Sequence, residues 1–188
     1  MSTVLLYVSM SLDGYVAGPD VSAEHGMGVG GERLHDWMFA EPVSPPDREM
    51  LAEIRAEVGA TVIGRRTFDF GLPHWRDVPY PVPSFVVTHE ARPDLPQPSG
   101  TFAFAGDVAS AIESAIGSAG AGKVVLMGAE IGRQALRAGL VDELLINHVP
   151  VLLGGGTRLF DEVPPTELEP MRVTVSPVVT HVRYRVVR

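Results

Sequence analysis

The 188-residue chain contains no cysteine. That absence removes disulfide staples, thiolate catalysis and cysteine-ligated zinc together, and it permits a reducing interior. Basic residues are the scarcer charge, with 15 Lys and Arg against 23 Asp and Glu and a formal net charge of −8. Such a balance argues against a nucleic-acid groove or an anionic membrane surface as partner and leaves small neutral or locally recognised ligands. No Lys or Arg precedes Arg33, so the apolar start at residues 3–8 lacks the charged region of a secretory signal and reads as a first strand. No uninterrupted apolar run approaches the ~18 to 20 residues of a membrane span, and the cytoplasm is the expected location. The six histidines show no metal-ligand spacing, and no metal site is expected. What the chain does have is 45% hydrophobic residues, which excludes disorder as a description of the whole and suits one domain spanning residues 1–188.

Short apolar, often β-branched runs bounded by Gly, Pro or polar residues predict strands at 4–10, 60–63, 84–88, 124–127 and 143–149. Helical patterns fall between them. Ser44 followed by Pro45 and Pro46 predicts a capped helix start, with Met50, Leu51, Ile54 and Val58 on one face and Gly59 as its end. Asp107 caps a second helix over 108–116, and a third over 131–137 ends at Gly139. Alternating strands and helices predict an α/β layer structure with a largely parallel sheet and right-handed crossovers. From Leu168 the rhythm changes to two final strands expected to pair antiparallel, and the proline-rich stretch 72–83 is expected to be one long surface loop.

Two familiar patterns lack their structural context. Residues 26–31, Gly-Met-Gly-Val-Gly-Gly, satisfy G-x-G-x-x-G but follow no strand, and residues 117–123 resemble a Walker loop whose Ser/Thr is replaced by Val124. The run Val62-Ile63-Gly64-Arg65-Arg66-Thr67 is more informative, because it places two arginines in the first turn of a helix, where cations oppose the helix dipole. A bound anion held by free N–H groups, Thr67 and the guanidinium forks would offset that misplacement. The alternative is a solvated arginine pair bridged to Glu57 or Asp69. At Met127-Gly128-Ala129-Glu130-Ile131, small residues again allow close approach to a ligand at a strand-to-helix junction. Glu130 favours the helix and repels a phosphate, so a capping role stays open. Thr88 and His89 end the intervening strand, and ligands of α/β sheets gather at such carboxyl ends. Glu32 and Asp36 lie four apart on an expected short amphipathic helix over 31–39. Asp36 is a candidate proton donor if it sits against an apolar pocket beside Trp37, and otherwise a solvated partner of Arg33. Asp13-Gly14 reads as a turn.

Taken in order, Ser9-Met10-Ser11-Leu12-Asp13-Gly14-Tyr15-Val16-Ala17-Gly18, Gly64-Arg65-Arg66-Thr67-Phe68, Val86-Val87-Thr88, and the run from Gly139 to Glu143 on through Pro150-Val151-Leu152-Leu153-Gly154-Gly155-Gly156 to Phe160 resemble the dihydrofolate-reductase-like superfamily. They look most like the branch containing the C-terminal reductase domain of the riboflavin-biosynthesis deaminase/reductase, the RibD C-terminal domain. The resemblance implies a twisted, mostly parallel sheet with flanking helices and an antiparallel C-terminal hairpin, and NADPH bound across the strand ends. By matching position it implies that Arg65, Arg66 and Thr67, after Gly64, contact cofactor phosphates, and that Thr88 and His89 lie near the adenosine end. Gly128, Ala129, Glu130 and Ile131 would lie along the pyrophosphate, Ala17 and Gly18 near the nicotinamide, with loop 26–31 as a mobile lid. Asp36 is the nearest match to the carboxylate that assists protonation.

The chain departs from the family pattern at Ala129, where paired glycines are common, and at Pro81-Val82-Pro83-Ser84, where folate reductases carry an arginine; classical folate reduction is thereby disfavoured. The implied activity is hydride transfer from NADPH to a small heterocyclic or sugar-derived substrate, with the pyrimidine reduction of riboflavin synthesis first and a pteridine second. A homodimer is implied too. The alternatives are a non-catalytic NADP-binding or sensing module and a purely structural domain.

Overall fold

The computed structural model describes residues 2–22 and 24–188. The chain opens with β1 (Val4–Ser11) and β2 (Tyr15–Ala17), then a 3-10 turn (Gly31–Leu34), α1 (Asp36–Phe39) and α2 (Pro45–Glu57). Next come β3 (Val58–Gly64), α3 (Arg65–Trp75), β4 (Ser84–Val87), β5 (Leu95–Gln97), β6 (Gly100–Ala105) and α4 (Val108–Ser118). The last third holds β7 (Lys123–Met127), α5 (Ala129–Arg137), β8 (Glu143–Val149), β9 (Thr157–Arg158), β10 (Leu168–Val175) and β11 (Thr180–Val186). The main sheet runs β10-β11-β8-β1-β7-β3-β4-β6-β5, and β2 pairs separately with β9. From β8 to β6 every pairing is parallel, while β11, β10 and β5 attach antiparallel at the two edges. This is the α/β architecture, with its antiparallel C-terminal hairpin, that the sequence predicts.

All eight residues of β1 are buried, as a central parallel strand covered on both faces requires. On one face α4 and α5 lay Ala111, Ile112, Ile131 and Ala135 over Leu6, Val62 and Leu126. On the other, α2 packs Met50 and Ile54 on Leu5, Tyr7 and Leu145, and α3 seats Phe68 on Ile63, Val86 and Phe102. Beside α2 an ionic cluster ties the C-terminal strands to the sheet. Arg183, nearly buried, reaches Glu53, Glu57 and Glu143, and Lys123 reaches Glu57 and Glu143.

Three local expectations change. Gly59 does not end α2; the helix passes straight into β3, and Gly59 is a strand residue whose Cβ would overlap the carbonyl of Ala119. A glycine is needed there for close approach of the 119–122 turn, not for a cap. Stretch 72–83 is not one loop, because α3 continues through Pro73 to Trp75 and stops where Arg76 takes φ 55°. Leu72 and Trp75 pack on the Phe68 cluster, and that burial outweighs the helix-breaking tendency of proline. The expected helix over 31–39 is broken at His35 (φ −116°, ψ −3°), leaving a 3-10 turn and one α turn.

Candidate active site

Strands β7, β3 and β4 are neighbours, so their carboxyl ends bring Gly128, Gly64 and Thr88 to one edge of the sheet. Two helices start there. The N-caps of α3 and α5 are Gly64 and Gly128, and neither can supply a side-chain acceptor. By contrast, Ser44 accepts from Asp47 N on α2 and Asp107 from Ser110 N on α4. The first-turn N–H groups of α3 and α5 are therefore left without a capping side chain, and the partial positive charge of both helix ends faces outward. The two ends touch. A Cβ on Gly128 (φ 101°) would stand 3.0 Å from Thr67 Oγ1, and one on Gly64 would stand 3.4 Å from Ile131 Cγ1. Gly64, Thr67, Gly128 and Ile131 thus form one cradle, whose fit to a diphosphate rests on backbone donors that no side chain occupies. Ala129, where the family commonly has glycine, is buried at the start of α5. The single cis bond among the described residues is Glu41–Pro42.

The arginines divide. Arg65 donates through Nε to Asp69 at 2.7 Å and also pairs with Glu90; its hydrogen bonds to Asp69 and then to Glu90 push its pKa up. The expected alternative partner Glu57 is instead held by Arg183 and Lys123. Arg66 is exposed, forms no ion pair among the described residues, and lines a crevice of about 240 Å³ with Val21, Ser22, Gly26, Asp69 and Phe70. Glu130 accepts from Arg133 Nη2 at 2.6 Å and Gln134 Nε2 at 2.8 Å. Those hydrogen bonds, from Gln134 first and then Arg133, hold its carboxyl below the usual range, so much of the charge expected to repel a phosphate is already engaged within α5. Thr88 is buried and accepts from Glu90 N at 3.2 Å, while His89 is exposed.

Ala17 and Gly18 lie at the end of β2, crossed by two glycine segments. A Cβ on Gly156 would overlap Ala17 O, and one on Gly28 would overlap Gly18 O. Gly18 N donates to Met27 O at 2.8 Å and Val29 N to Pro19 O at 2.8 Å. At the other side a Cβ on Gly26 would overlap the Phe70 ring on α3. Loop 26–31 accordingly spans from β2 to α3.

Asp13, read from sequence only as a turn residue, has a larger part. Its carboxylate accepts from Ser11 Oγ at 2.6 Å, Leu153 N at 3.1 Å and Gly154 N at 2.7 Å. The Ser11 bond and then the backbone donors lower its pKa to about 2. Asp13 therefore pins the Gly154-Gly155-Gly156 run beside β2. That glycine run was a visible signal in the sequence; its partner 140 residues away was not. Asp36 is exposed on α1, and the burial beside an apolar pocket falls to its neighbour Trp37. The turn that carries them begins at Gly31, packed on Ala17 and Gly18. No ion pair joins Asp36 to Arg33 among the described residues.

Among the described residues no group of three or more His, Asp or Glu could hold a metal ion, and no helix is long and apolar enough to cross a membrane. The sheet order, flanking helices and paired glycine-capped helix starts define a dihydrofolate-reductase-like α/β domain. Within that class the chain belongs to the RibD C-terminal domain family, whose model matches residues 2–182. It is similar over 100% of both chains, at 25% identity and a TM-score of 0.73, to the crystal structure of a protein from Shewanella sp. PV-4 assigned by name to riboflavin biosynthesis.

Two further similarities bear on the fold alone. One is to a diaminohydroxyphosphoribosylaminopyrimidine deaminase/5-amino-6-(5-phosphoribosylamino)uracil reductase from Thermotoga maritima, at 15% identity and a TM-score of 0.64, covering 99% of this chain and 57% of that one. The other is to a pyrimidine reductase-like protein from Corynebacterium diphtheriae, at 14% identity and a TM-score of 0.65, covering 100% and 92%. The chain thus spans little more than half of the bifunctional Thermotoga protein. None of the curated proteins compared matches it.

Proposed function

We propose that this chain is an NADPH-dependent reductase that transfers hydride to a C=N or C=O carbon of a small heterocyclic or sugar-derived substrate. 5-Amino-6-(5-phosphoribosylamino)uracil, the substrate in the name of the Thermotoga protein, is the best-defined candidate. The observation that carries this reading is the pair of adjoining helix starts at Gly64 and Gly128, in a chain of the RibD C-terminal domain family. The cofactor supplies the hydride when bound. The backbone donors of Thr67, Ala129, Glu130 and Ile131 bind its diphosphate, with the Arg66 guanidinium as the cation not yet engaged by a carboxylate. Thr88 and His89 border the adenosine end, and Ala17 and Gly18 the nicotinamide end. Loop 26–31, with the Asp13-anchored glycine run, excludes water from the reacting carbon, and holding the two reactants together supplies much of the rate. Asp36, exposed one residue before Trp37, or a bound water supplies the proton that the substrate takes up.

The protein is proposed to act in the cytoplasm and as a homodimer, with no nucleic-acid or membrane partner. Titration calorimetry with NADPH and NADH separately tests the reading: NADPH should bind, and bind more tightly. Binding of neither would refute it, and NADPH binding without turnover of any pyrimidine or pteridine would favour the sensing alternative.

A further inference from the structure

Beyond the cradle, the carboxyl-terminal part of β1, β8 and β11 carries a feature that packing alone does not require. Ser9 on β1 stands opposite Asn147 on β8, and Asn147 opposite His181 on β11, so three polar side chains form one row across three strands on the α2 face. All three are buried, and so is Asp47 in the first turn of α2. The row is internally bonded. His181 lies 2.8 Å from Asn147 Oδ1 through Nδ1 and 3.0 Å from Asp47 Oδ1 through Nε2. Asn147 Nδ2 donates to Ser9 Oγ at 3.3 Å, and Ser44 Oγ donates to Asp47 Oδ2 at 2.7 Å. Two residues before Ser9, the hydroxyl of Tyr7 is buried without a hydrogen bond, close to the Asn147 amide but not in bonding geometry. Burying polar groups costs free energy unless every one is satisfied, and an orphan of this kind calls for an explanation.

What closes the row is the indole of Trp37. It is 2% exposed, donates Nε1–H to Ser9 Oγ at 3.2 Å, and meets the His181 ring edge-on with centroids 4.9 Å apart. An indole is a planar bicycle with a single donor, so it answers one group of the row and leaves Tyr7 unanswered. Trp37 is also carried by the least regular covering element, the 3-10 turn and single α turn broken at His35. That segment is held to the sheet by Leu34, Trp37 and Met38 packing on Val149, Val151 and Val179, and no strand pairing is lost if it shifts. Its far end, Phe39, is 76% exposed.

We infer that Trp37 is a displaceable stopper, and that a planar heterocycle carrying several hydrogen-bond donors and acceptors takes its place against Ser9, Asn147, His181 and Tyr7. The choice of ligand class rests on the reductase reading; the displacement does not. Asp36 precedes the stopper by one residue, so the exchange that admits the heterocycle also moves the proposed proton donor.

The chain has two tryptophans, and Trp75→Phe leaves Trp37 as the sole indole reporter. Adding 5,6-diaminouracil in the presence of NADP+ should shift its emission to the red and raise acrylamide quenching several-fold, whereas NADP+ alone should do neither. Calorimetric binding of the diaminouracil with emission and quenching unchanged would overturn the inference while leaving the reductase reading intact. Trp37→Gly supplies a second measurement that needs no cofactor. Its melting temperature should rise more with 5,6-diaminouracil than with indole, because the recess is lined by polar groups. Stabilisation by indole alone would make Trp37 an ordinary core residue, and binding of the diaminouracil to neither variant would also overturn the proposal. Failure of the reductase reading shows separately, as absence of NADPH binding to the unmodified protein.

Discussion

Replacing each of the two adjacent arginines by alanine should have unequal effects on NADPH affinity, although the sequence gives them equal standing. Arg66 is exposed at the crevice and has no carboxylate partner among the described residues. A charged hydrogen bond to a phosphate contributes about 1.5–3 kcal/mol. Arg66→Ala should therefore weaken NADPH binding by about 2 kcal/mol, roughly thirtyfold at 25 °C. Arg65 starts from another position, with its Nε on Asp69 at 2.7 Å and Nη1 on Glu90. To reach a phosphate it would have to give up both carboxylates. The main effect of Arg65→Ala is then indirect, because Asp69 and Glu90 are left uncompensated near an anionic ligand at a solvated surface, where such charges act weakly. A loss of about threefold or less is expected, largely removed by 0.5 M salt and recovered in the Arg65→Ala/Asp69→Asn double variant. Titration calorimetry at two ionic strengths measures all of this. An unchanged affinity in Arg66→Ala, or a larger loss in Arg65→Ala than in Arg66→Ala, would refute the assignment of the free guanidinium to the cofactor.

Further expectations concern the scaffold. Arg183→Met should destabilise the fold by about 3–5 kcal/mol, read by urea titration, because it leaves Glu53, Glu57 and Glu143 clustered around a lost buried cation. Burial alone would raise the pKa values of Glu57 and Glu143, but hydrogen bonds and charges from Arg183 and Lys123 outweigh it and lower both. Their contribution to stability is thus complete above the unfolded carboxylate pKa and fades as pH falls through the lower folded value. A melting temperature that rose on acidification below pH 4 would contradict this. Gly156→Ala combines φ 120° with overlap of Ala17 O and should lower stability by about 1–3 kcal/mol while impairing NADPH binding. Asp13→Ala should release the Gly154-Gly155-Gly156 run, detected as faster amide exchange at Leu153 and Gly154.

Much of the fold was legible without coordinates. Buried parallel strands must be near-continuously apolar, and Val4-Leu5-Leu6-Tyr7-Val8 or Val124-Val125-Leu126 can be little else. Helix starts at Ser44 and Asp107 announce themselves because capping is chemistry between neighbours a few residues apart. The cradle residues were legible for the same reason: a glycine between an apolar run and a helix marks a strand end whose helix has no side-chain cap. Strands β2, β5, β6 and β9 were not: three of them have only two or three residues and carry no periodicity, and β6, Gly-Thr-Phe-Ala-Phe-Ala, is half glycine and alanine, which favour strands little.

What no local pattern contains is the pairing of residues far apart in the chain. Arg65 and Arg66 read alike until Glu90, beyond the next strand, comes to rest beside one of them. Asp36 reads equally as buried beside Trp37 or as solvated until the break at His35 turns the indole onto Ser9 and leaves the carboxylate in solvent. Ser9, Asn147 and His181 are unremarkable polar interruptions until the β1-β8-β11 register sets them in a row. The sequence alone determined most of the longer buried strands and the capped helix starts, because those depend on interactions within a turn or a strand. Only the tertiary structure decided which charges are neutralised, which are free and which polar groups share one recess, because burial and electrostatics depend on distance through space.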